Sequence, residues 1–510
     1  MRVQTNQVPF EDALDKTGFG KFNYLMLMLC GGLITCMTFE SYSVSYLVPA
    51  SACELLTNSF HQGVMAGMPL IGIIATSHFW GYYADTQGRR KIIRLSLILG
   101  FTTGALATFS PNWIVFCVLK LLSSSAVSGT FALSFTLLSE STPRSKRSIM
   151  VVLTSSIFFV SVGCMAVLAI PVLSLKFSYS IPYLNIHFNP WRLLNFIFSM
   201  PCAIGAVAMT FAYESPKYLL SAGREAEALR VLKNIFVING GKSCDDFQIT
   251  SIVLEENSLQ ATTSLWESLK SQSVPLFKPP LLLRTLLMAL MFGMIYFSTN
   301  PYIVWMPSIA DSFMKSVQTD IGNMTFCDRI RSTQNTTDVE KDNDCSLNEF
   351  AITMVFGIQI YLAVSNSLMS VAINYIDRKH FLIGLQLLIG TAGLCINFTS
   401  SWIISALLFI VFVTGTVNFA ILTTFSVDFF PTYLKAMALC ITVMVGRVGA
   451  VFGINLLKNM LEYNCEGSFH VFAGLAVVCG LIGILLPSDA KVIATKEQSE
   501  NNKAGLADAT

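Results

Sequence analysis

Three ionisable side chains stand inside long apolar runs: Glu40, Lys120 and Arg447. A charged group in hydrocarbon costs at least about 2.5–3.5 kcal/mol on insertion scales, so each needs a partner or a function. Glu40 falls about 8 residues, roughly 12 Å, below one end of the first apolar run, and Lys120 falls about 7 residues, roughly 10 Å, below the same surface in the fourth. At that matching depth a carboxylate and an ammonium can pair. The chemistry open to them is carriage of a proton by Glu40 while Lys120 competes for the carboxylate. A static ion pair joining two helices is the alternative, and Lys120 could instead snorkel to the interface. Arg447, about 11 residues into the eleventh run, can hold an anionic or hydroxyl-rich solute, or pair with a carbonyl or an acid. Gly446 and Gly449 beside it allow close helix approach, for packing or as a hinge.

The seventh run carries Tyr296, Ser298, Thr299, Asn300, Pro301, Tyr302 and Trp305. Proline at 301 frees a carbonyl, which a membrane tolerates where protein or water lies beside it. Asn300 and Tyr302 are therefore read as lining a translocation cavity with Glu40, Lys120 and Arg447; Gln359, Asn366 and Asn418 are further candidates. His78 has no partner at metal spacing, so no metal is expected. With no G-x-S-x-G, P-loop or nucleotide fingerprint, neither an enzyme nor a cofactor is indicated. Active transport would then draw on an ion gradient.

These side chains need elements to position them, and composition says what those are. Of 510 residues 53% are hydrophobic and 13% charged, against roughly 25% charged in a soluble domain, and the mean hydropathy is +0.60. A net charge of +2 leaves no basic surplus for nucleic acid. The 13 Cys show no metal spacing. A spanning helix needs about 20 apolar residues, and twelve such runs lie near 22–48, 62–82, 92–109, 113–139, 149–173, 191–212, 281–306, 350–376, 381–399, 402–427, 436–457 and 469–487. With both termini placed in the cytoplasm, 24 of the 33 Lys and Arg fall inside and 7 outside, the orientation favoured by the positive-inside rule.

The domain reading follows: a cytoplasmic N-terminus (1–21), a six-helix bundle (22–212), a cytoplasmic linker (213–280), a second bundle (281–487) with an outer loop (307–349), and a cytoplasmic tail (488–510). The outer loop holds the glycosylation acceptors Asn323 and Asn335. Cys327 and Cys345 flank Asn335 where an oxidising environment permits a bridge. Asn397 also fits the acceptor pattern but abuts a span end.

The loops repeat. Asp85 in Gly81-x3-Asp85-x2-Gly88-Arg89-Arg90 answers to Asp377 after span eight, and Glu140-x2-Pro143-x3-Arg147 answers to Asp428-x2-Pro431-x3-Lys435. The offsets are 292 and 288 residues, which argues for a duplicated six-span unit. Taken singly each loop reads as a solvated turn. Taken together they suggest an inner latch of Gly81, Asp85, Gly88, Arg89, Arg90, Glu140, Arg147, Asp377, Asp428 and Lys435, in which acids at helix ends are bridged by bases.

The Gly81–Arg90 element is similar to the loop signature of the major facilitator superfamily. The Glu140–Arg147 element with Glu214-Ser-Pro216-Lys217 looks like that family's sugar and organic-ion porter branch. Within the branch, Glu40, Pro49-x3-Cys53, the long outer loop and Gly446-Arg447-Val-Gly449 resemble the synaptic vesicle glycoprotein 2 subfamily. The resemblance implies an all-α membrane protein of twelve transmembrane helices in two pseudo-symmetric six-helix bundles. It implies an acid and a base at similar places in spans one and four of proton-coupled porters.

The function expected is secondary active or facilitative transport of a small polar or ionic organic solute by alternating access, with the proton as candidate coupling ion. The bilayer is the only other partner named. The competing expectation is a non-transporting binding or trafficking protein on a transporter fold. The host would be a plasma membrane or an intracellular, synaptic-vesicle membrane.

Overall fold

The computed structural model describes residues 8–254, 270, 273–279, 281–319, 324–337, 348–373, 375–430 and 434–486. Among these the chain is a multi-pass helical membrane protein with the twelve-helix fold. Eleven helices are long and apolar enough to cross a bilayer. The twelfth, Arg89–Ala107, is 19 residues long, and its first six residues hold Arg89, Arg90, Lys91 and Arg94, which dilute its hydropathy.

By contact the chain divides into two compact units, Met1–Leu55 with Met68–Leu265, and Leu56–Gly67 with Trp266–Thr510. The first holds α1 (Phe10–Lys16), α2 (Lys21–Tyr42), α3 (Val44–Ser51), most of α4 (Ser59–Gln87), α5 (Arg89–Ala107), α6 (Trp113–Val127), α7 (Thr130–Glu140), α8 (Arg144–Leu173), α9 (Pro190–Phe211), α10 (Pro216–Ser221) and α11 (Glu225–Ile238). The second holds α12 (Leu281–Gln318), α13 (Phe326–Thr337), α14 (Glu349–Ala372), α15 (Arg378–Cys395), α16 (Trp402–Val413), α17 (Asn418–Phe429), α18 (Lys435–Tyr463) and α19 (Cys465–Ile482).

Short polar residues start the spans by satisfying orphan amides. Asn112 accepts from Val115 N at 2.9 Å before α6, Asn348 from Phe350 N at 2.9 Å before α14, and Asn464 from Gly467 N at 2.9 Å before α19. Two spans are broken in the middle. α6 stops at Val127 and α7 resumes at Thr130; α16 stops at Val413 and α17 resumes at Asn418. The two breaks lie 286 and 288 residues apart, the spacing of the loop repeat. At the first, Gly129 leaves room for Trp80, whose Cβ would be 2.3 Å from any Cβ added there. Trp80 Nε1 and Thr76 Oγ1 donate to the freed carbonyl of Ser125 at 2.7 and 2.9 Å, so the break leaves that oxygen satisfied.

A polar module closes the end of the first unit at which the basic loops lie. β1 (Val8–Pro9) pairs in parallel with β4 (Ile252–Val253). Ile252 N and Ser251 Oγ donate to Glu225 and hold its carboxyl below the usual carboxylate range. Asn239 at the end of α11 accepts from Phe22 N and donates to the carbonyls of Thr17 and Gly18, at 3.0–3.2 Å. At the opposite end β2 (Tyr179–Ile181) and β3 (Ile186–Phe188) form a hairpin.

The outer-loop cysteines pair differently from the sequence reading. Cys327 is bonded to Cys465, the first residue of α19, and not to Cys345. Phe326 stacks on Phe313 and Phe409, with ring centroids 4.8 and 5.5 Å apart. That docking brings Cys327 beside α19, where Arg331 also pairs with Glu466 at 2.9 Å; closeness in sequence to Cys345 counts for nothing against it. Cys345 lies outside the described residues, and Cys53 is disulfide-bonded too. Cys327 N donates to Asn397 Oδ1 at 3.2 Å, which ties that acceptor candidate down. Asn323 and the side chain of Asn335 lie outside the described residues. Cys327→Ser is expected to destabilise the protein by about 2–4 kcal/mol, read as a lowered thermal midpoint that reductant lowers no further at this bond. An unchanged midpoint would mean that the aromatic stacking and the Arg331–Glu466 pair hold α13 without the bridge.

Candidate functional site

Glu40 lies on the last turn of α2, Lys120 and Ser123 on one face of α6, Gly104 on α5 and Ser199 on α9. Lys120 Nζ donates to Glu40 Oε2 at 3.2 Å and both side chains are 0% exposed. Ser123 Oγ donates to the same oxygen. The other oxygen, Oε1, is buried without a donor among the described residues. It rests over Gly104, where any Cβ would lie 2.3 Å from Oε1 and 2.6 Å from Ser199 Oγ. Gly104 is thus the seat of the carboxyl. The structure brings the acid and base together but seals them inside the first unit; they do not line an open cavity, as the sequence reading placed them. Four packed helices close around the pair because three of them offer small residues at its level, Gly104, Ser123 and Ser199.

The same seam continues toward the end bearing the β2–β3 hairpin. Asn195 Nδ2 donates to Gly104 O and to Thr108 Oγ1, each at 2.9 Å. Arg192, wholly buried, donates to the carbonyls of Thr108 and Ser110 at 2.7 and 2.9 Å and to Glu54 Oε1 at 2.7 Å. Trp191 Nε1 donates to Glu54 Oε2 at 2.6 Å and Asn189 Nδ2 donates to that oxygen as well. The Arg192 guanidinium lies 4.4 Å over the Trp191 ring. In the charge count of the sequence Arg192 is simply one of the 7 basic residues placed outside. The signal available was the Asn-Pro-Trp-Arg start of a span, a cation one turn inside a helix with Glu54 at the facing span end.

At the other end the latch forms in part. Arg89 pairs with Asp85 at 3.0 Å and with Glu140 at 3.3 Å. Ser215 Oγ donates to Glu140, and the Arg89 guanidinium lies 5.1 Å over the Tyr218 ring. Gly88 has φ +100°, and a Cβ there would lie 2.5 Å from Glu214 Oε2. With no side chain in the way, Glu214 accepts from Arg90 N at 3.1 and 3.2 Å and caps α5, whose N-terminal amides favour an anion. Arg90 turns its Nε to Met209 O at 3.1 Å. Glu214, Ser215 and Tyr218 were missed as latch partners, although Glu214-Ser-Pro216 stands at the correct span end.

Three latch residues go elsewhere. Arg147 pairs with Glu11 at 2.7 Å, not with Glu140, because α1 folds back beneath the start of α8; Asp15 also caps Arg144 N at 2.9 Å. Asp377 caps its own helix by accepting from Lys379 N at 2.9 Å. Gly81 has nothing within 4 Å of a would-be Cβ, so its lack of a side chain serves no contact. The side chains of Asp428 and Lys435 lie outside the described residues.

In the second unit Tyr302 is not a lining residue. It is fully buried in an aromatic core of Phe409, Phe412, Phe469 and Phe472, with ring centroids 5.0–6.1 Å away, and its hydroxyl donates to Ser468 Oγ at 3.3 Å. Two residues earlier, at about 200° around the helix, Asn300 is half-buried and its Oδ1 has no donor among the described residues. Gln359 Oε1 is likewise buried without one. Asn418 Nδ2 donates to Gln386. Arg447 is half-buried on α18. Its neighbour Gly446 would place a Cβ 2.8 Å from the Tyr296 ring, and Gly449 would place one 3.0 Å from Gly293 O, so this pair packs α18 onto α12. Pro301 does the same, its ring meeting Gly453.

Comparison with known proteins agrees with this architecture. The family description "Major Facilitator Superfamily" matches residues 32–323, more than half of the chain. The human synaptic vesicle glycoprotein 2B is 24% identical over 60% of this chain. The chain spans less than half of that relative's length, 47%. The mouse putative transporter SVOPL is 24% identical over 96% of this chain and 93% of its own. Among solved structures, the xylose transporter XylE from E. coli, in a partially occluded inward-open conformation, aligns with a TM-score of 0.65 at 13% identity, covering 92% of this chain and 98% of that one.

Proposed function

The chain belongs to the Major Facilitator Superfamily, and on that premise we propose that it carries a small polar or ionic organic solute across the membrane by alternating access, with Glu40 as the proton-carrying group. The observation that carries this reading is the sealed Glu40–Lys120–Ser123 site. A carboxyl with one oxygen held by an ammonium and a hydroxyl and the other left without a donor has a place for one proton, at Oε1 over Gly104. Protonation would release Lys120 from its ion pair, and that exchange is the coupling step. The donor-free carboxamide oxygens of Asn300 and Gln359, with the Arg447 cation, support a hydroxyl-rich or anionic solute, since each oxygen gains by accepting from a hydroxyl. The excess of basic residues on one side supports cytoplasmic termini. The Arg89–Glu140–Ser215 contacts would then act as the cytoplasmic latch.

A second reading is favoured by the same burial: the pair is a static ion pair in a non-transporting binding or trafficking protein of a vesicle or plasma membrane. Uptake of a pooled metabolite set into proteoliposomes, read by mass spectrometry with and without an inward proton gradient, separates the two. Gradient-driven uptake abolished by Glu40→Gln is the expected result. Gradient-independent uptake unaffected by that substitution would remove the proton from the mechanism. No uptake by folded protein would favour the static reading.

A further inference from the structure

Ser199 lies beside the undonated oxygen of Glu40. It follows Asn195 by one turn on α9, and the missing Cβ of Gly104 marks one point that Glu40 Oε1 approaches to 2.3 Å, Glu40 Oε2 to 2.7 Å and Ser199 Oγ to 2.6 Å. The carboxyl therefore rests on Gly104 with the hydroxyl oxygen next to it. The hydrogen of that hydroxyl goes elsewhere: Ser199 Oγ donates to Asn195 O at 3.2 Å, and Oε1 has no donor among the described residues. What Ser199 offers the carboxyl is a lone pair. The other carboxyl oxygen is treated in the opposite way, since Lys120 Nζ and Ser123 Oγ both donate to Oε2.

Resting on the reading of Glu40 as the proton carrier, we propose that Ser199 is a positioning residue for the carried proton, its oxygen accepting the hydrogen bond from protonated Glu40 Oε1. The sign follows from the lone pairs. An ionised Oε1 and a hydroxyl oxygen whose hydrogen is spent elsewhere repel one another, and a proton placed between them turns that contact into a hydrogen bond. Ser199 thus favours the protonated carboxyl, while Lys120 and Ser123 favour the ionised one. The bond of Ser199 to the carbonyl four residues earlier is local to α9, so it persists whichever form the carboxyl takes. Lys120 on α6 and the thiols of Cys36 on α2 and Cys202 on α9 are the charged and titratable groups that meet Glu40 from the packed helices. Both thiols donate to backbone carbonyls, Cys36 to Pro201 O at 3.1 Å and Cys202 to Cys36 O at 3.7 Å, and so do not supply Oε1 with a hydrogen. α5 presents Gly104 there, and Arg192, further along α9, is spent on Thr108, Ser110 and Glu54.

The test is an infrared pH titration of the full chain in phosphatidylcholine nanodiscs, following the carboxylic C=O stretch, with Glu40→Gln identifying the Glu40 band by its loss. In Ser199→Ala the pH at which that band is half-formed is expected to fall by about one unit, a roughly tenfold weaker hold on the proton, which is the worth of one lost hydrogen bond. Ser199→Cys is a second variant, close in size but with a poorer acceptor, and its midpoint should fall between the two. A midpoint that rises in Ser199→Ala would show the serine donating to the ionised carboxylate, and a midpoint unmoved in both folded variants would show that Ser199 serves packing alone. Either result overturns the assignment and leaves Glu40 as the proton carrier. A Glu40 band that is absent, or present unchanged, at every pH in the wild-type chain would instead remove the proton-carrying reading, and the role of Ser199 with it.

Discussion

Lys120→Met is expected to destabilise the protein by about 3–5 kcal/mol, the cost of leaving a buried carboxylate without its counter-ion. Glu40 and Lys120 are both 0% exposed, so no water enters to compensate, and among the described residues Ser123 supplies the carboxyl's only other donor. The double variant Glu40→Gln, Lys120→Met should recover most of the loss, because a neutral pair of similar volume has no charge to desolvate. A thermal double-mutant cycle measures this directly, the interaction term being the difference between the double and the two singles. If Lys120→Met unfolds within about 0.5 kcal/mol of wild type, the carboxyl holds a proton in this conformation and the ion pair is formed only after its release.

The second large effect is expected at Arg192, where Arg192→Met should cost about 3 kcal/mol or more. The substitution keeps an apolar stem but orphans two buried carbonyls, Thr108 O and Ser110 O, and removes the guanidinium from Glu54. Glu54 itself is a quarter exposed, so water and the retained donors Trp191 and Asn189 moderate its part of the loss. Arg192→Lys should restore less than half of the stability, since one ammonium cannot reach two carbonyls and a carboxylate that a planar fork serves together. Glu54→Gln should cost less than either, because the carboxamide oxygen still accepts from Trp191. Full recovery by lysine would show that charge, not fork geometry, holds the seam between α5 and α9.

The first of these sites shows where reading the chain succeeds, and the second, at Arg192, where it does not. Helix rise alone put Glu40 and Lys120 at one depth, and depth is a one-dimensional property that residue counting delivers. The duplication was legible for the same reason: Asp85 and Asp377, or Glu140 and Asp428, are related by offset along the chain, and the matched breaks at 127–130 and 413–418 fall at that offset too.

Rotation about each helix axis is what only the tertiary structure decided. In a soluble helix the polar face records which way is out. In a bilayer the lipid and the protein interior are both apolar, so a span carries little record of the face it turns inward. Tyr302 could therefore be read as lining a cavity when it points into an aromatic core, and the Glu40–Lys120 pair as lining one when Gly104, Ser123 and Ser199 close over it. The loop charges behaved similarly. Arg147, Asp377 and Cys327 chose Glu11, their own helix end and Cys465, because a flexible or capped residue bonds to whatever the packed helices bring within reach. Residue type and spacing established the apolar spans, their duplication and the presence of buried charge. Close packing of small against large side chains established which charges meet.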